Sequence, residues 1–195
     1  MFIYLMRHGE TDLNRALRMQ GSVDEPLNEN GRAQAAIAGE KIRQLGLKFD
    51  HVITSPLDRA RETAELATGM ERSRFEIDPR IREMEYGPYE GKRILSLNWK
   101  VLSFLKAPYK KPAPEGIETI DSLYGRVSSF LEDTAERTDA DSVLVVTHGI
   151  AMRNMIGYLK GLDCRDVWKQ RFSIENCAVF RTETDGNGFS APEKL

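Results

Sequence analysis

Two histidines stand in nearly the same local setting. "YLMRHGETDLN", residues 4 to 14, ends an apolar run in Arg7-His8-Gly9, and "VLVVTHGIA", residues 143 to 151, ends another in Thr147-His148-Gly149. A glycine directly after a histidine lets backbone approach a ligand. A third apolar stretch, "HVITS", leads into "TSPLDRARETA" and delivers Ser55, Arg59 and, on one reading, Arg61. Histidines and arginines converging on one place would make a small pocket of positive potential. Arginine suits phosphate because its planar fork donates two hydrogen bonds at once. Either histidine alone would more often be a satisfied structural residue, but two such pairs in one chain weaken that reading. Arg59 and Arg61 could also form a solvated face paired with Glu62 and Glu65. His51 precedes its apolar run and stands at the wrong end for the pocket.

The elements that must position these residues follow from the hydrophobic pattern. "FIYLM" (2 to 6), "SVLVVT" (142 to 147) and "HVITS" (51 to 55) are continuous apolar runs, as in strands buried on both faces of a parallel sheet. "RFEI" (74 to 77) and "AVFRTE" (178 to 183) are weaker strand candidates. Helices are expected between them. One carries Ala33, Ala36, Ile37 and Leu45 at helical spacing and stops at Gly46. Another spans about 57 to 68 and stops at Gly69. "TIDSLYGRVSSFLEDTAERT" puts Ile120, Leu123, Val127, Phe130 and Leu131 on one face, with Thr119 placed to cap it. "GIAMRNMIGYLKG" is a fourth. This alternation predicts an α/β fold: three layers, α/β/α, around a central, mostly parallel sheet. If the first and last apolar runs are parallel neighbours, both histidines emerge at the carboxyl edge, where such sheets hold ligands.

Residues 87 to about 116 break the pattern with prolines, a short apolar piece and Lys106, Lys110 and Lys111. They read as a small helical cap inserted into a single domain covering residues 1 to 195. The tail after Thr184 is expected to be loose.

Composition narrows the classes. With 28 Lys and Arg against 30 Asp and Glu, the net charge is -2, and no basic block suggests nucleic acid. Two cysteines, without CxxC or zinc spacing, fit a reducing compartment. "MFIYLM" is too short to be a signal sequence or to span a membrane. A cytoplasmic chain is expected, with no membrane or nucleic-acid partner, as a monomer or homodimer. There is no GxxxxGK[ST] loop and no metal-spaced cluster near either histidine, so the expected chemistry needs no metal and no cofactor.

"LMRHGETDLN", "QGSVDEPLNENGRAQA", "ITSPLDRARETAE", "IREMEYGPYEG" and "VVTHGIAMRNMI" resemble the histidine phosphatase superfamily, or phosphoglycerate mutase-like family, in order and roughly in spacing from Phe2 to about Lys160. The resemblance implies that His8 is phosphorylated in turnover. It also implies that Arg7, Arg59 and His148 complete the phosphate pocket and that Glu83 protonates the leaving group. Asn14 matches a further phosphate contact, Gln20 and Gly21 a substrate-side loop, and Tyr86 a tyrosine of the mutases. Gly149 lines the same edge. Glu85 and Glu90 are the alternative acids. "QGSVDEPLN" resembles the broad-specificity phosphatases of the family more than its mutases. "EGIET" departs from the family's usual Gly-Glu-Ser. The implied activity is hydrolysis of a small phosphorylated metabolite through phosphohistidine. A phosphoglycerate mutase is the alternative, and a non-catalytic phosphate-binding module a third option.

Overall fold

The computed structural model describes residues 1–137, 139–170 and 173–195. In chain order the first elements are β1 (Phe2–Arg7), α1 (Asp12–Arg15), α2 (Glu29–Gln44), β2 (His51–Thr54), α3 (Asp58–Thr68) and β3 (Glu76–Ile77). Then come α4 (Trp99–Lys106), α5 (Ile120–Ala135), β4 (Ser142–Thr147), α6 (Gly149–Leu159), α7 (Cys164–Lys169), β5 (Val179–Glu183) and β6 (Glu193–Lys194).

The six strands form one sheet in the order β3-β2-β4-β1-β5-β6. β1, β4, β2 and β3 run parallel; β5 and β6 are antiparallel. Alternate residues of the central strands face opposite layers. Ile3, Leu5, Val143 and Val145 pack with Leu123, Val127, Met152 and Met155 of α5 and α6. Tyr4, Met6, Leu144 and Val146 pack with Ala38, Ile42, Ala60 and Ala64 of α2 and α3. Burial on both faces is why these strands read as unbroken apolar runs, and it makes the sheet the middle of three layers.

The register sets up the site. β1 pairs with β4 so that Arg7 lies opposite Thr147. The His8 N–H then donates to the Thr147 carbonyl at 2.9 Å, and the Ser55 N–H to the Val146 carbonyl at 3.1 Å. Three strand ends thus open together at one edge.

Three expectations need correction. α2 does not turn Ala33, Ala36, Ile37 and Leu45 inward: Ile37 is 70% and Leu45 52% exposed, while Ala35, Ala38, Gly39 and Ile42 are buried. Small residues win because α2 lies close to α3; a Cβ on Gly39 would sit 2.7 Å from the Ala67 carbonyl oxygen. The strand around 74 to 77 is shorter than expected, because Arg72–Arg74 turns as a 3-10 helix before Glu76. The tail is not loose: β6 pairs with β5, and Thr184 bridges Phe189. The α5 helix keeps its predicted face and its Thr119 cap; Thr138, at the end of that stretch, lies outside the described residues. Among the described residues no helix is long and apolar enough to cross a membrane.

Between β3 and α5, three 3-10 turns precede α4 and a fourth follows it. This segment is fastened to the chain after β1: Met19 N–H donates to the Lys92 carbonyl, Gly91 N–H to Met19, and Ile94 N–H to Leu17. Val101 and Phe104 bury one side of α4 in the core, leaving Trp99 75% exposed.

Candidate active site

His8 and His148 leave adjacent strands, and their rings lie 5.0 Å apart between centroids, with planes at 58°. Both are buried. Burial, reinforced by the charges of Arg59 and Arg7, holds the His8 imidazole well below its usual range, so the ring is neutral. Its Nδ1 lies 2.6 Å from the Gly9 carbonyl oxygen. A carbonyl can only accept, so Nδ1 carries the proton and Nε2 keeps its lone pair. The backbone around the ring is fixed by side chains: Asn176 donates to the His8 carbonyl at 2.9 Å, and Gly9 N–H donates to Thr63 Oγ1 at 3.0 Å.

His148 has the opposite tautomer. Arg59 Nε–H donates to its Nδ1 at 3.1 Å, so the proton of the neutral ring sits on Nε2, 2.7 Å from Ser55 Oγ. Burial, then the Arg59 charge, keeps this imidazole neutral too.

Arg59 is completely buried in the first turn of α3. Its terminal nitrogens donate to the carbonyls of Val23 (2.7 Å) and Gly21 (2.8 Å). With the bond to His148, three of its five N–H groups are committed and two remain. Burial lowers its pKa to about 10, opposed by nearby carboxylates with Glu83 first; it stays a cation at neutral pH. Arg7 donates to the Ile174 carbonyl at 2.5 Å, and its buried Nε has no acceptor among the described residues. Arg61 forms no hydrogen bond or ion pair with these groups. Two residues along a helix from Arg59, it belongs to the opposite face.

Gln20 completes that side. Its Oε1 accepts from Thr11 Oγ1 (3.2 Å) and Asn14 Nδ2 (3.1 Å), while its buried Nε2 has no partner among the described residues. Asn14 also closes a reciprocal cap with Thr11 at the start of α1. Its amide therefore holds Gln20 in place. Gly21 takes a left-handed backbone, φ 54°, and a Cβ there would strike the Glu90 carboxylate at 2.2 Å.

Of the three candidate acids, Glu83 alone meets the first turn of α6. Its carboxylate accepts from Ile150 N–H (3.1 Å), Ala151 N–H (3.0 Å) and Met84 N–H (3.0 Å), and the helix dipole favours negative charge there. Its charge acts on both Arg7 and Arg59. Glu85 pairs with Arg82 at 2.9 Å. Glu90 clamps Ser22 and the Tyr86 backbone N–H. Tyr86 is 7% exposed in the hydrophobic cluster; burial, then the charges of Glu83, Glu118 and Glu90, pushes its phenol up, so it stays protonated.

The two strand-end glycines differ in purpose. A Cβ on Gly149 would come within 3.3 Å of Arg7 Nε, so Gly149 makes room for the guanidinium. A Cβ on Gly9 would lie 2.4 Å from the Gly31 carbonyl oxygen. Gly9 is thus a close backbone contact with α2 instead of an opening for ligand. His51 is held by Glu76 and Asp139 at the far end of β2.

Thr63, Asn176 and the Glu118–Arg126 pair were not anticipated. Arg126 binds Glu118 at 2.8 Å and donates to the carbonyls of Arg80, Arg82 and Glu83. It thereby fixes the loop that carries Glu83. Thr63 lies one helical turn from Arg59, a spacing that could have exposed it. Asn176 comes from a loop with no motif around it.

A family model described as histidine phosphatase superfamily (branch 1) matches residues 3–193. The chain belongs to this superfamily. Probable phosphoglycerate mutase GpmB of Citrobacter koseri is 32% identical over 196 residues, 97% of this chain and 88% of that protein. The solved structure of YhfR from Bacillus stearothermophilus superposes with a TM-score of 0.86 at 30% identity, covering 97% of this chain and 94% of that one. Alpha-ribazole phosphatase from Shigella flexneri shares the fold, with a TM-score of 0.87 at 23% identity over 100% of this chain and 96% of its own. The chain is thus similar in sequence to a protein named as a probable mutase and in fold to one named as a phosphatase.

Proposed function

We propose that the chain is a metal-independent phosphomonoesterase that hydrolyses a small phosphate ester through phosphohistidine on His8. The observation that carries this reading is the neutral His8 ring, whose Nδ1–H is spent on the Gly9 carbonyl so that Nε2 is left as a nucleophile. Nε2 attacks phosphorus and the ester P–O bond breaks. The departing alkoxide takes a proton from Glu83 in its acid form. Glu83 then removes a proton from water as the water oxygen attacks the phosphohistidine. The P–N bond breaks, inorganic phosphate leaves and His8 returns to its neutral state. Charge on the transferring oxygens is met by Arg7, by the two uncommitted N–H groups of Arg59, and by Gln20 Nε2. Residues 87 to 116 serve as the cap that selects the ester.

Wild-type protein given an aryl phosphate in the presence of EDTA should release phosphate. No turnover from acid to neutral pH overturns the reading, and loss of turnover with EDTA overturns its metal independence.

A second reading is favoured by the 32% identity to a protein named as a phosphoglycerate mutase. The same phosphohistidine would return its phosphoryl group to a sugar acid. Incubation with 3-phosphoglycerate separates the two: free phosphate supports the esterase, and an isomeric phosphoglycerate supports the mutase.

A further inference from the structure

A short ribbon joins the segment before α4 to the chain after β1. Gly91 N–H donates to the Met19 carbonyl at 2.7 Å, Met19 N–H donates to the Lys92 carbonyl at 2.9 Å, and Arg18 bridges Arg93. Arg18 Nη1 also donates to the Gly91 carbonyl at 2.6 Å. The first strand of this ribbon runs straight into a tight turn of residues 20 to 23, closed by Val23 N–H on the Gln20 carbonyl at 3.2 Å. That turn carries the buried Gln20 amide and both carbonyls that receive the terminal nitrogens of Arg59.

Glu90 grips the turn from the opposite strand of the ribbon. Its Oε1 accepts from Ser22 N–H at 3.0 Å, and its Oε2 from the Ser22 hydroxyl at 2.9 Å. Oε1 also accepts from Tyr86 N–H at 3.0 Å, which ties the carboxylate to the loop that carries Glu83.

The Gly21 carbonyl and the Ser22 N–H belong to one peptide unit. A trans peptide is planar, and its C=O and N–H point in opposite directions. Arg59 Nη2 donates to the carbonyl at 2.8 Å while the N–H donates to Glu90. One peptide is thus strung between a cation and an anion, with a charge-assisted bond at each end. Gly21, at φ 54° and without a Cβ, offers little steric resistance to rotation of that peptide. The two charged ends set its plane.

Resting on the phosphohistidine reading of the pocket, we infer that Glu90 is a positioning residue for phosphate binding. Acting through the Gly21–Ser22 peptide, it fixes the Arg59 guanidinium, whose two uncommitted N–H groups meet the phosphoryl oxygens.

Position and charge make opposite predictions here. The charge of Glu90 reaches Arg59, behind burial and the charges of Glu83 and Asp24. On charge alone, removing a carboxylate beside an anion pocket tightens the hold on the anion. A positioning carboxylate loosens that hold when it is removed.

Binding of inorganic phosphate, read by calorimetry, tests this without turnover. Glu90→Ala should weaken phosphate about tenfold. Glu90→Gln keeps an oxygen for the Ser22 and Tyr86 amides and should restore wild-type affinity or better. Ser22→Ala, at an exposed position, cuts the same clamp from the other side without threatening the fold. It should weaken phosphate about threefold alone and add nothing in the Glu90→Ala background. A fastening of the cap alone would lower the melting temperature and leave phosphate affinity untouched. The inference is overturned if Glu90→Ala binds phosphate as well as the wild type, or if Glu90→Gln is as weak as Glu90→Ala. Equal losses from Ser22→Ala in both backgrounds overturn it too, as does a wild type that binds no phosphate. Hydrolysis of an aryl phosphate is read separately; its absence overturns the esterase reading, while the phosphate affinities still decide the role of Glu90.

Discussion

His8→Ala removes the Nε2 lone pair while Arg7, Arg59 and His148 remain to hold phosphate. Turnover should fall by at least about a thousandfold, and a labelled, acid-labile phosphoenzyme should vanish. Label that persists in this variant identifies another nucleophile. Glu83→Gln isolates a different contribution. Glutamine keeps an oxygen for the α6 amides that Glu83 now receives, but it cannot give up a proton to an alkoxide. Alkyl esters, whose leaving groups need that proton, should slow by roughly a hundredfold or more, and activated aryl esters much less. Equal slowing of both takes Glu83 out of the acid role. At this scale the motif residues were legible because each has a chemical type tied to a strand end. Their tautomers were not, because these depend on the Gly9 carbonyl and on Arg59 Nε–H, contacts that only the folded chain brings together.

Elements decide whether those residues meet at all. The pairing of β1 with β4 was readable, since both are unbroken apolar runs and neighbouring parallel strands bring their ends into line. The inward face of α2 was misread because periodicity gives weight to large residues, whereas this helix packs through Ala35, Ala38 and Gly39. β6 has two residues and no pattern of its own; pairing with β5 creates it. The brace from α5 was hidden for a related reason. Arg126 looks like an ordinary polar residue on a helix, and its partners are backbone carbonyls some 43 to 46 residues away in sequence. Arg126→Ala should therefore act as a positioning change. Glu118 loses its cation, three carbonyls lose donors, and Glu83 loses its fixed height above α6. We expect kcat for alkyl esters to fall about tenfold with KM nearly unchanged, a loss of ~1.4 kcal/mol of transition-state stabilisation. The ratio of alkyl to aryl rates should move in the same direction as in Glu83→Gln. A variant that is only less stable, with that ratio unchanged, would show that Arg126 supports the fold and not the acid.

The whole molecule bears the energetic cost of this site. Two imidazoles and two guanidinium groups are desolvated at the carboxyl edge of the sheet, and the apolar layers on both faces must offset that cost. The consequence is a pH dependence of stability with a definite sign. Burial, more than the neighbouring charges, holds the native His8 and His148 imidazoles well below their ordinary value of 6.5. In the unfolded chain they regain ordinary values. As pH falls below about 6.5, the unfolded state binds protons that the native state refuses, so folding stability declines. Each histidine contributes a slope of up to ~1.4 kcal/mol per pH unit until its native pKa is reached. Glu76, held down chiefly by its hydrogen bond from Arg137, adds its own loss at lower pH, as its carboxylate is protonated. Denaturant unfolding across this range should therefore show stability falling from just below neutrality, ahead of any carboxylate titration. His8→Gln/His148→Gln should flatten that first decline and leave the carboxylate limb in place. Inorganic phosphate, binding the native pocket and not the unfolded chain, should raise the whole curve for the wild type. If the double variant keeps the wild-type slope, the histidines already exchange protons freely in the folded protein, and neither is locked neutral by the fold.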